Sequence, residues 1–515
     1  MFEKMKRLAE KYHAGQFRKG PGNVPYIVHP QTVARTLLEW GEPEDSPAVA
    51  VAWGHDLLED TTVTEAEIRE VADDRVLAGI KLLTRPREED KKLYLRSIVE
   101  SGDREAMLVK IADRICNSRD FVKLEGKLYA FQYLHEADML EAALEVFRRD
   151  GVVAAARAAW KEHDAELCEE ARREMTLGCM LGGAVGDALG APVEFLDLKR
   201  IEEVYGCFGV TGYVEFGDGT GGVTDDTQMA LFTAEGILRA NVRANDKGIC
   251  HGPSVVHGAY LRWLRTQGWK LPENTPDFIP DSGWLVHEKA LWKERAPGRT
   301  CLNALACGRW GELKARNKSK GCGTVMRTAP AGLFFNPVPA YEMGCDFSAI
   351  THGHPTGITA GGALAMLVSM LLLGKPLPDA VDETIAFLEP KPEAVETVAA
   401  LKHAKTAQSV SELGEGWVAE EALAIGVYCA LKHTWDFRAG VLEAVNIDGD
   451  SDSTGAIAGN ILGALNGVSG IPKEWIRNLR EREIIETVAN DLLTQIETNE
   501  DGYSTSEWWE KYPGY

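Results

Sequence analysis

The stretch GCMLGGAVGDALG, at residues 178–190, places five glycines inside an otherwise helical, apolar pattern. Two more stretches share this texture, HPTGITAGGALAMLVSMLLLG at 354–374 and STGAIAGNILGALNG at 453–467. Glycine inside a helix costs roughly 1 kcal/mol relative to alanine, so its repeated use implies a structural benefit. The simplest benefit is the close approach of a helix to another helix or to a ligand. These stretches therefore predict a tightly packed helical domain.

The rest of the chain also has a helical texture. Residues 1–170 are rich in helix formers, and apolar residues recur there at helical spacing. The segment 210–216 has the composition of a short strand, but no alternating ladder stands out, so the predicted fold class is all-α. An Ala- and Glu-rich stretch without breakers, 152–173, predicts a helical linker. We expect a helical domain over 1–150, a linker over 151–174 and a larger helical domain over 175–515.

Composition narrows the class of protein. The 515 residues carry a formal charge of −22, which argues against nucleic acid and anionic membranes as partners, because both are bound by surplus Lys and Arg. The ten cysteines form no CxxC pair, which is typical of a reduced, cytoplasmic protein. No apolar segment of a signal peptide follows the N-terminus. The longest apolar run, 363–373, is too short to span a bilayer and predicts a buried helix.

A first set of metal-type ligands lies near the N-terminus and consists of His29, the dipeptide His55-Asp56, and Asp113. Imidazole combined with carboxylate suits a transition metal. A His-Asp dipeptide alone is more often a capped helix end with a surface histidine. The co-occurrence of all four ligands in order favours a metal site.

The sequences around these ligands carry a family resemblance. They are HAGQFRKGPGNVPYIVHPQTVA (13–34), WGHDLLEDT (53–61) and VKIADRICNSRD (109–120). Residues 1–145 resemble the HD superfamily, in its hydrolase branch related to (p)ppGpp 3′-pyrophosphohydrolases. The resemblance implies one Mn²⁺ ion held by His29, His55, Asp56 and Asp113. It further implies that Glu59 and Asp60 assist the metal-bound water, and that a phosphorylated nucleotide is bound beside Arg18, Lys19 and Asn117.

This region departs from the family at one place. The stretch between Lys19 and Pro25, GPGNV, is longer and richer in Gly and Pro than the family's compact spacing. It leaves the base and ribose preference open, and a solvated turn is the alternative reading of Arg18-Lys19. Metal-dependent hydrolysis by these residues is chemically reasonable without the resemblance. A metal lowers the pKa of bound water, and nearby carboxylates accept its proton.

A second, all-oxygen set lies in the C-terminal part, where Thr224-Asp225-Asp226-Thr227 precedes a clear amphipathic helix. Simple N-capping explains one of these aspartates but not both. A second acidic cluster, GDSDST at 449–454, opens another small-residue helix; it lacks the closing Glu of an EF-hand. Two oxygen-rich helix starts that meet would suit a hard cation such as Mg²⁺.

Seven motifs of this part carry a second resemblance: GCMLGGAVGDALGAPVEF, GGVTDDTQMALFTAEGIL, RAPGRTCLNAL, SKGCGTVMRTAPAGLF, THGHPTG, NIDGDSDSTGAIAGNILGAL and the tail EWWEKYPGY. Residues 175–515 resemble the ADP-ribosylglycohydrolase family, of the type that includes dinitrogenase-reductase-activating glycohydrolase. The resemblance implies two Mg²⁺ ions, or Mn²⁺, bound by Thr224, Asp225, Asp226, Asp450, Asp452 and Ser453. Ser453 is usually Thr in the family and keeps the hydroxyl. Glu194 matches the flexible-loop glutamate near the substrate, so the candidate catalytic residues are Glu194, Asp225 and Asp226.

The expected chemistry needs these residue types. A glycosidic bond to ribose breaks through a transition state of oxocarbenium character, two cations orient hydroxyls and water, and a carboxylate takes the proton. A Gly-rich loop offers backbone N–H groups to a diphosphate, and His352 either contacts the ligand or closes a helix start. The candidate substrate-binding residues are Ser319, Lys320, Gly321, Cys322, Gly323, Thr324 and His352.

The sequence thus predicts a metal-dependent hydrolase that removes ADP-ribose from a modified protein or small molecule, fused to an HD nucleotide phosphohydrolase. Two alternatives stay open. The HD domain is a nucleotide sensor that regulates the glycohydrolase, or the glycohydrolase pocket only binds ADP-ribose. The intact ligand sets argue against both.

Overall fold

The computed structural model describes residues 1–19, 22–86, 90–217, 219–494, 496 and 498–514. Residue contacts divide the chain into two compact units, Met1–Ala171 and Arg172–Tyr515. The boundary falls inside one long helix, Gly151–Gly190 (α11), which contains the predicted linker. Each unit is built from helices, and the all-α prediction is confirmed.

The described residues of the first unit form ten helices before α11: Phe2–Tyr12 (α1), Val28–Glu39 (α2), Pro47–Gly54 (α3), Leu57–Asp60 (α4), Glu65–Arg69 (α5), Asp74–Leu83 (α6), Lys91–Ser101 (α7), Arg104–Leu124 (α8), Lys127–His135 (α9) and Asp138–Ala143 (α10). A short 3₁₀ helix covers Leu144–Phe147. Helix α8 is central because α2, α3, α6 and α9 all pack on it. The Asp103 carboxylate caps its start by accepting a hydrogen bond from Ala106 N.

In the second unit, the part of the chain that the structure describes forms fifteen helices after α11: Leu198–Tyr205 (α12), Asp225–Lys247 (α13), Gly252–Thr266 (α14), Arg299–Cys307 (α15), Ala329–Phe334 (α16), Pro337–Ala349 (α17), Pro355–Leu372 (α18), Leu377–Leu388 (α19), Val395–Ala404 (α20), Ala419–Lys432 (α21), Phe437–Val445 (α22), Ser451–Asn466 (α23), Lys473–Asn478 (α24), Arg482–Leu493 (α25) and Ser506–Lys511 (α26). Its 3₁₀ helices are Leu285–His287, Lys289–Leu291, Cys322–Arg327, Pro392–Ala394, Val410–Leu413 and Val468–Gly470.

Strand structure in the described residues is confined to one small antiparallel hairpin of the second unit. Its strands are Glu215–Phe216 (β1) and Gly219–Thr220 (β2), with Glu215 opposite Thr220. The strand expected over 210–216 therefore forms only at its last two residues.

Helix α18 forms the middle of the second unit. It is long and apolar enough to cross a membrane by composition alone, but 89% of it is buried inside the fold. Helices α16, α17, α19, α21 and α23 pack around it. Residues 363–372 of the apolar run therefore belong to a core helix, as predicted, and Leu373 directly follows its end and is exposed.

The glycines of α11 and α23 explain how these two helices meet. A Cβ atom on Gly182 would lie 2.3 Å from Gly459 O, and one on Gly186 would lie 1.9 Å from Gly455 O. Contacts this short exclude any side chain, so the two backbones touch. Of the two benefits that the glycine pattern predicts, the observed one is helix–helix approach.

Candidate metal centres and substrate site

The first centre comprises the side chains of His29, His55, Asp56 and Asp113, all in the first unit. His29 lies in the first turn of α2, His55 ends α3, Asp56 precedes α4 and Asp113 lies midway along α8. His29 Nε2 is 3.0 Å from Asp113 Oδ1 and 3.7 Å from Asp56 Oδ2. His55 Nε2 is 3.2 Å from Asp56 Oδ2 and 3.8 Å from Asp113 Oδ1. The structure thus brings all four predicted ligands together.

The tautomer of His55 is set by its second ring nitrogen. His55 Nδ1 lies 2.8 Å from Ala52 O, and a carbonyl only accepts, so Nδ1 carries the proton. In the neutral ring, which is the form that binds a metal, His55 Nε2 carries the lone pair; it is buried and has no hydrogen-bond partner among the described residues. A ligating histidine held through its other nitrogen by a carbonyl is the usual arrangement at metal sites. The donor set fits a transition metal.

Charged neighbours keep both aspartates of the first centre ionised. Burial alone would raise the pKa of Asp113, but Lys110 and His29 outweigh it and hold that pKa well below its usual range. Lys110 Nζ lies 2.9 Å from Asp113 Oδ2. For Asp56, His55 and His29 outweigh burial in the same way and lower the pKa. Ionised carboxylates are the form that binds a metal.

The two acidic residues after the dipeptide differ in their contacts. Tyr26 Oη lies 2.8 Å from Asp56 Oδ2 and 2.7 Å from Asp60 Oδ2, so one phenol joins a predicted ligand to a predicted base. Glu59 is exposed and accepts a hydrogen bond from Arg85 N, 3.0 Å away. Tyr26 lies three residues before His29, but no motif in the sequence marks it as a functional residue.

The predicted nucleotide contacts are partly assembled around the first centre. Arg18 Nη2 donates to Asn117 Oδ1 at 2.7 Å and to Asp120 Oδ2 at 2.9 Å. Asn117 Nδ2 in turn donates to Asp113 Oδ1 at 2.6 Å, which links Arg18 to a metal ligand. Lys19 is exposed. Gly20 and Pro21, in the stretch that departs from the family, lie outside the described residues.

The second centre comprises Thr224, Asp225, Asp226, Asp450, Asp452 and Ser453. Thr224 caps α13 and Asp450 caps α23, and the other four residues lie in the first turns of these helices. The two helix starts meet, because Ser453 Oγ lies 3.0 Å from both carboxylate oxygens of Asp226. All six side chains are buried.

Asp187 fixes the acidic turn from behind. Its carboxylate lies 2.9 Å from Thr224 N, 3.1 Å from Thr227 N and 2.5 Å from Thr227 Oγ1, and accepts from all three donors. Asp187 follows Gly186, one of the glycines where α11 touches α23. The close packing at Gly186 therefore places the Asp187 carboxylate where it orients the Thr-Asp-Asp-Thr turn. Within the GDALG motif, the sequence alone fits Asp187 equally to orienting a ligand and to helix packing, and these contacts show the orienting role.

The electrostatics of the second centre call for a cation. Burial, followed by repulsion from Asp452 and other carboxylates, raises the pKa of Asp226 well above its usual value. Burial and the same repulsion raise the pKa of Glu194 to about 10. Glu194 Oε2 is buried without a hydrogen-bond partner in the described part of the chain, and Glu194, Asp450 and Asp452 offer oxygens within 4.8 Å of one another. Divalent cations relieve such repulsion, and an all-oxygen set suits hard ions.

The Gly-rich loop is partly occupied by internal contacts. Gly321 N donates to Ser319 Oγ at 3.3 Å, and Cys322 N donates to Trp417 O at 3.2 Å. The Lys320 ammonium is paired with Glu396 at 2.8 Å and also with Glu420. The loop therefore offers a diphosphate fewer ready donors than its sequence predicts.

His352 lies directly behind this loop. Its Nδ1 is 2.8 Å from Thr351 Oγ1, and its Nε2 would be 3.4 Å from a Cβ atom on Gly321. Burial and the nearby Arg327 lower the pKa of His352 to about 3, so the ring is neutral. Thr324 and Gly323 continue the loop into a 3₁₀ helix, and Thr324 Oγ1 donates back to Gly321 O.

An aromatic pair lies next to Glu194. Phe195 is 74% exposed, and its ring stacks on Trp417 with centroids 5.8 Å apart. Trp417 O is also the acceptor for Cys322 N, so the pair borders the Gly-rich loop. Phe195 ends the first of the seven motifs, whereas Trp417 lies outside all of them and has no local signal in the sequence.

The part of the chain that contains the second centre is similar to one group of known proteins. The family model described as ADP-ribosylglycohydrolase matches residues 169–502. Over 64% of this chain and 80% of its own length, the ADP-ribosylarginine hydrolase Tri1 of Pseudomonas putida is 26% identical. The ADP-ribosyl-[dinitrogen reductase] glycohydrolase of Rhodospirillum rubrum is 27% identical over 60% of this chain and 93% of its own.

The N-terminal part is similar to a different group. The guanosine-3′,5′-bis(diphosphate) 3′-pyrophosphohydrolase MESH1 of Xenopus tropicalis is 34% identical over 25% of this chain and 74% of its own length. The predicted fusion of two hydrolase types is confirmed by these two sets of relatives. The chain is therefore a hydrolase that belongs to the ADP-ribosylglycohydrolase family and carries an N-terminal region similar to HD-type ppGpp hydrolases.

Proposed function

We propose that the C-terminal part hydrolyses the bond between ADP-ribose and a modified acceptor, and that the N-terminal part hydrolyses a phosphorylated nucleotide. We assign these activities to separate domains over 175–515 and 1–150, joined by 151–174. The observation that carries the first assignment is the buried cluster of carboxylates where α13 and α23 begin, with Glu194 facing it.

In the second centre, Asp225, Asp226, Asp450 and Asp452 would hold two Mg²⁺ or Mn²⁺ ions, together with the hydroxyls of Thr224 and Ser453. The ions would orient the ribose hydroxyls and polarise a water molecule. Glu194 Oε2 has no hydrogen-bond partner within the described residues, so it is the carboxylate we assign to accept the proton of the attacking water. Its high pKa in the cation-free protein falls when positive charge enters the cluster.

In the first centre, His29, His55, Asp56 and Asp113 would hold one Mn²⁺ ion, which supplies an activated water for attack on a phosphoryl group. We assign Asp60 to receive the proton, and the support for this is that the Tyr26 hydroxyl contacts both Asp60 and the ligand Asp56. Arg18, Lys19 and Asn117 would lie along the phosphates. We assign Glu59 to assist the metal-bound water on the family resemblance alone.

ADP-ribosylated arginine is the first acceptor to test, since one relative is an ADP-ribosylarginine hydrolase. The full chain and its Asp56→Ala and Asp226→Ala variants would be incubated with ADP-ribosylated arginine, serine and nucleic acid and with guanosine 3′,5′-bis(diphosphate), each with Mg²⁺ or Mn²⁺. Mass spectrometry would follow the products. We expect Asp226→Ala to abolish release of ADP-ribose only, and Asp56→Ala to abolish nucleotide hydrolysis only.

The same panel separates the two alternatives. Release of ADP-ribose by the Asp226→Ala variant would contradict the assignment of the second centre. Tight binding of ADP-ribose without any product would indicate a binding module. If nucleotide is bound intact and changes the rate of ADP-ribose release, the first centre is a sensor.

A further inference from the structure

A buried ion pair lies beside the second centre and belongs to neither predicted ligand set. Arg295 Nη1 is 3.0 Å from Glu481 Oε1, and the two side chains are 7% and 2% exposed. Burying two charges carries a large desolvation cost, which the attraction offsets only with good geometry and further hydrogen bonds. Two further hydrogen bonds of this pair go to the segment that leads into α13.

Both partners hold the peptide groups of Val223, the residue before the capping Thr224. Arg295 Nη1 donates to Val223 O at 3.0 Å, and Val223 N donates to Glu481 Oε2 at 3.4 Å. A Cβ atom on Gly222 would lie 2.6 Å from Arg295 Nη1, so the guanidinium fills the space that this glycine leaves. The ion pair therefore clamps the chain immediately before the acidic turn.

The backbone that carries Arg295 also holds Asp225. Asp225 N donates to Arg295 O at 3.2 Å, and Gly298 N donates to Asp225 Oδ2 at 3.0 Å. Between them, Ala296 has a φ of +50°, a conformation that an L side chain rarely adopts and that surrounding contacts must maintain. The segment 295–298 thus fixes both the backbone and the carboxylate of Asp225.

We propose that Arg295 and Glu481 are positioning residues that set the cation affinity of the second centre by fixing Val223 and Asp225. The proposal rests on the proposed function in one respect, which is that Asp225 is a metal ligand. Neutralising either partner leaves the other charge buried without its counter-ion. The acidic turn then relaxes, and the cation meets a carboxylate that is no longer held in place.

The test measures cation binding directly. Glu481→Gln and Arg295→Gln would be made in full-length protein that also carries Asp56→Ala, which removes a ligand of the first centre. Isothermal titration with MgCl₂ and MnCl₂ would then report the second centre. We expect binding to weaken about 10- to 100-fold in each variant, the range seen when groups that orient metal ligands are mutated. The double variant should lose little more than either single one, because the pair acts as a unit.

The matched control is the pair Arg438–Glu474 of the same unit, which is also an ion pair but is 45% and 56% exposed. Glu474→Gln should change Mg²⁺ affinity less than about twofold, since exposed pairs contribute little. If Glu481→Gln does not fold, Arg295→Lys is the second variant; it keeps a charge and a donor but not the planar fork, and an intermediate loss is expected.

Two outcomes overturn the proposal. Unchanged cation affinity with a lower urea midpoint would show that the pair is only structural, and equal losses in Glu474→Gln would show that the effect is not specific. If the parent protein binds Mg²⁺ with the expected variant losses yet releases no ADP-ribose, the proposed function fails and the positioning role stands. If ADP-ribose release is intact and all variants bind alike, the positioning role fails alone.

Discussion

Ser453 Oγ lies 3.0 Å from each carboxylate oxygen of Asp226, and this contact joins two helix starts that are 227 residues apart in sequence. The two Asp226 oxygens share the single hydroxyl proton of Ser453. The surrounding carboxylates repel the negative charge on these oxygens. The hydroxyl at position 453 therefore links the start of α23 to the start of α13 within the second centre. The family resemblance places threonine there, and the geometry requires only the hydroxyl that both residues carry.

The first prediction follows from this contact. Ser453→Ala should weaken Mg²⁺ binding about 10-fold or more. Asp226 loses the hydroxyl that orients it, and the cation loses one of its oxygen ligands. Ser453→Thr is the matched control and should bind within about threefold of the parent protein. Isothermal titration and ADP-ribose release at rising Mg²⁺ measure both. Equal Mg²⁺ affinity in the alanine variant would contradict the role of this hydroxyl.

The second prediction concerns the glycine contact of α11 with α23. A Cβ atom on Gly186 would lie 1.9 Å from a backbone oxygen, so Gly186→Ala must push the helices apart and should cost at least about 1–3 kcal/mol of unfolding free energy. It should also weaken Mg²⁺ binding, since the next residue is Asp187. Gly151→Ala, in the same helix with nothing within 4 Å of the new methyl group, should not destabilise. Urea unfolding compares the two variants.

Some of this architecture could be predicted from the sequence and some could not. The ligand types and their helix starts were predictable because each is encoded locally, as in Thr224-Asp225-Asp226. The glycine pattern predicted a close approach but not its partner, which is set by packing with a distant helix. The role of Asp187 depends on Thr224 and Thr227, 37 and 40 residues further along the chain.

Lys320 shows the opposite case, a local pattern that tertiary contacts modify. Its place in a Gly-rich loop suggested a phosphate contact. Its ammonium group instead pairs with Glu396 and Glu420, which lie 76 and 100 residues away. No local signal in the sequence marks either glutamate as its partner. Charge pairing across such separations is decided by packing, so sequence motifs name the residue types of a site better than their contacts.

The third prediction concerns Tyr26 in the first centre. Tyr26→Phe removes the hydroxyl that lies between Asp56 and Asp60, so both carboxylates lose a common anchor. We expect nucleotide hydrolysis to fall about 10- to 100-fold, as for other groups that orient metal ligands, with ADP-ribose release unchanged. Tyr129→Phe, at an exposed tyrosine of the same unit, is the control. Full nucleotide hydrolysis in Tyr26→Phe would show that Asp60 is placed without help from the phenol.

The last prediction is a pH dependence that arises at His135, which belongs to neither set of predicted ligands. His135 Nδ1 is 2.8 Å from Asp138 and its Nε2 is 2.8 Å from Asp164. Burial alone would lower the pKa of His135, but the two carboxylates outweigh it and raise that pKa to about 9. The folded-state pKa thus exceeds the unfolded value of about 6.5, so the stabilisation is complete below about pH 6.5 and is lost as pH rises towards 9.

Because Asp138 is half exposed, solvent screening reduces this contribution to about 1–2 kcal/mol. Other groups titrate in the same range, so the measured quantity is the difference between the parent protein and His135→Gln. Hydrogen exchange of α9 under urea should show that this difference is largest near pH 6 and nearly absent at pH 9.5. A difference that is constant with pH would mean that His135 contributes by packing and neutral hydrogen bonds, and that the two aspartates do not hold it as a cation.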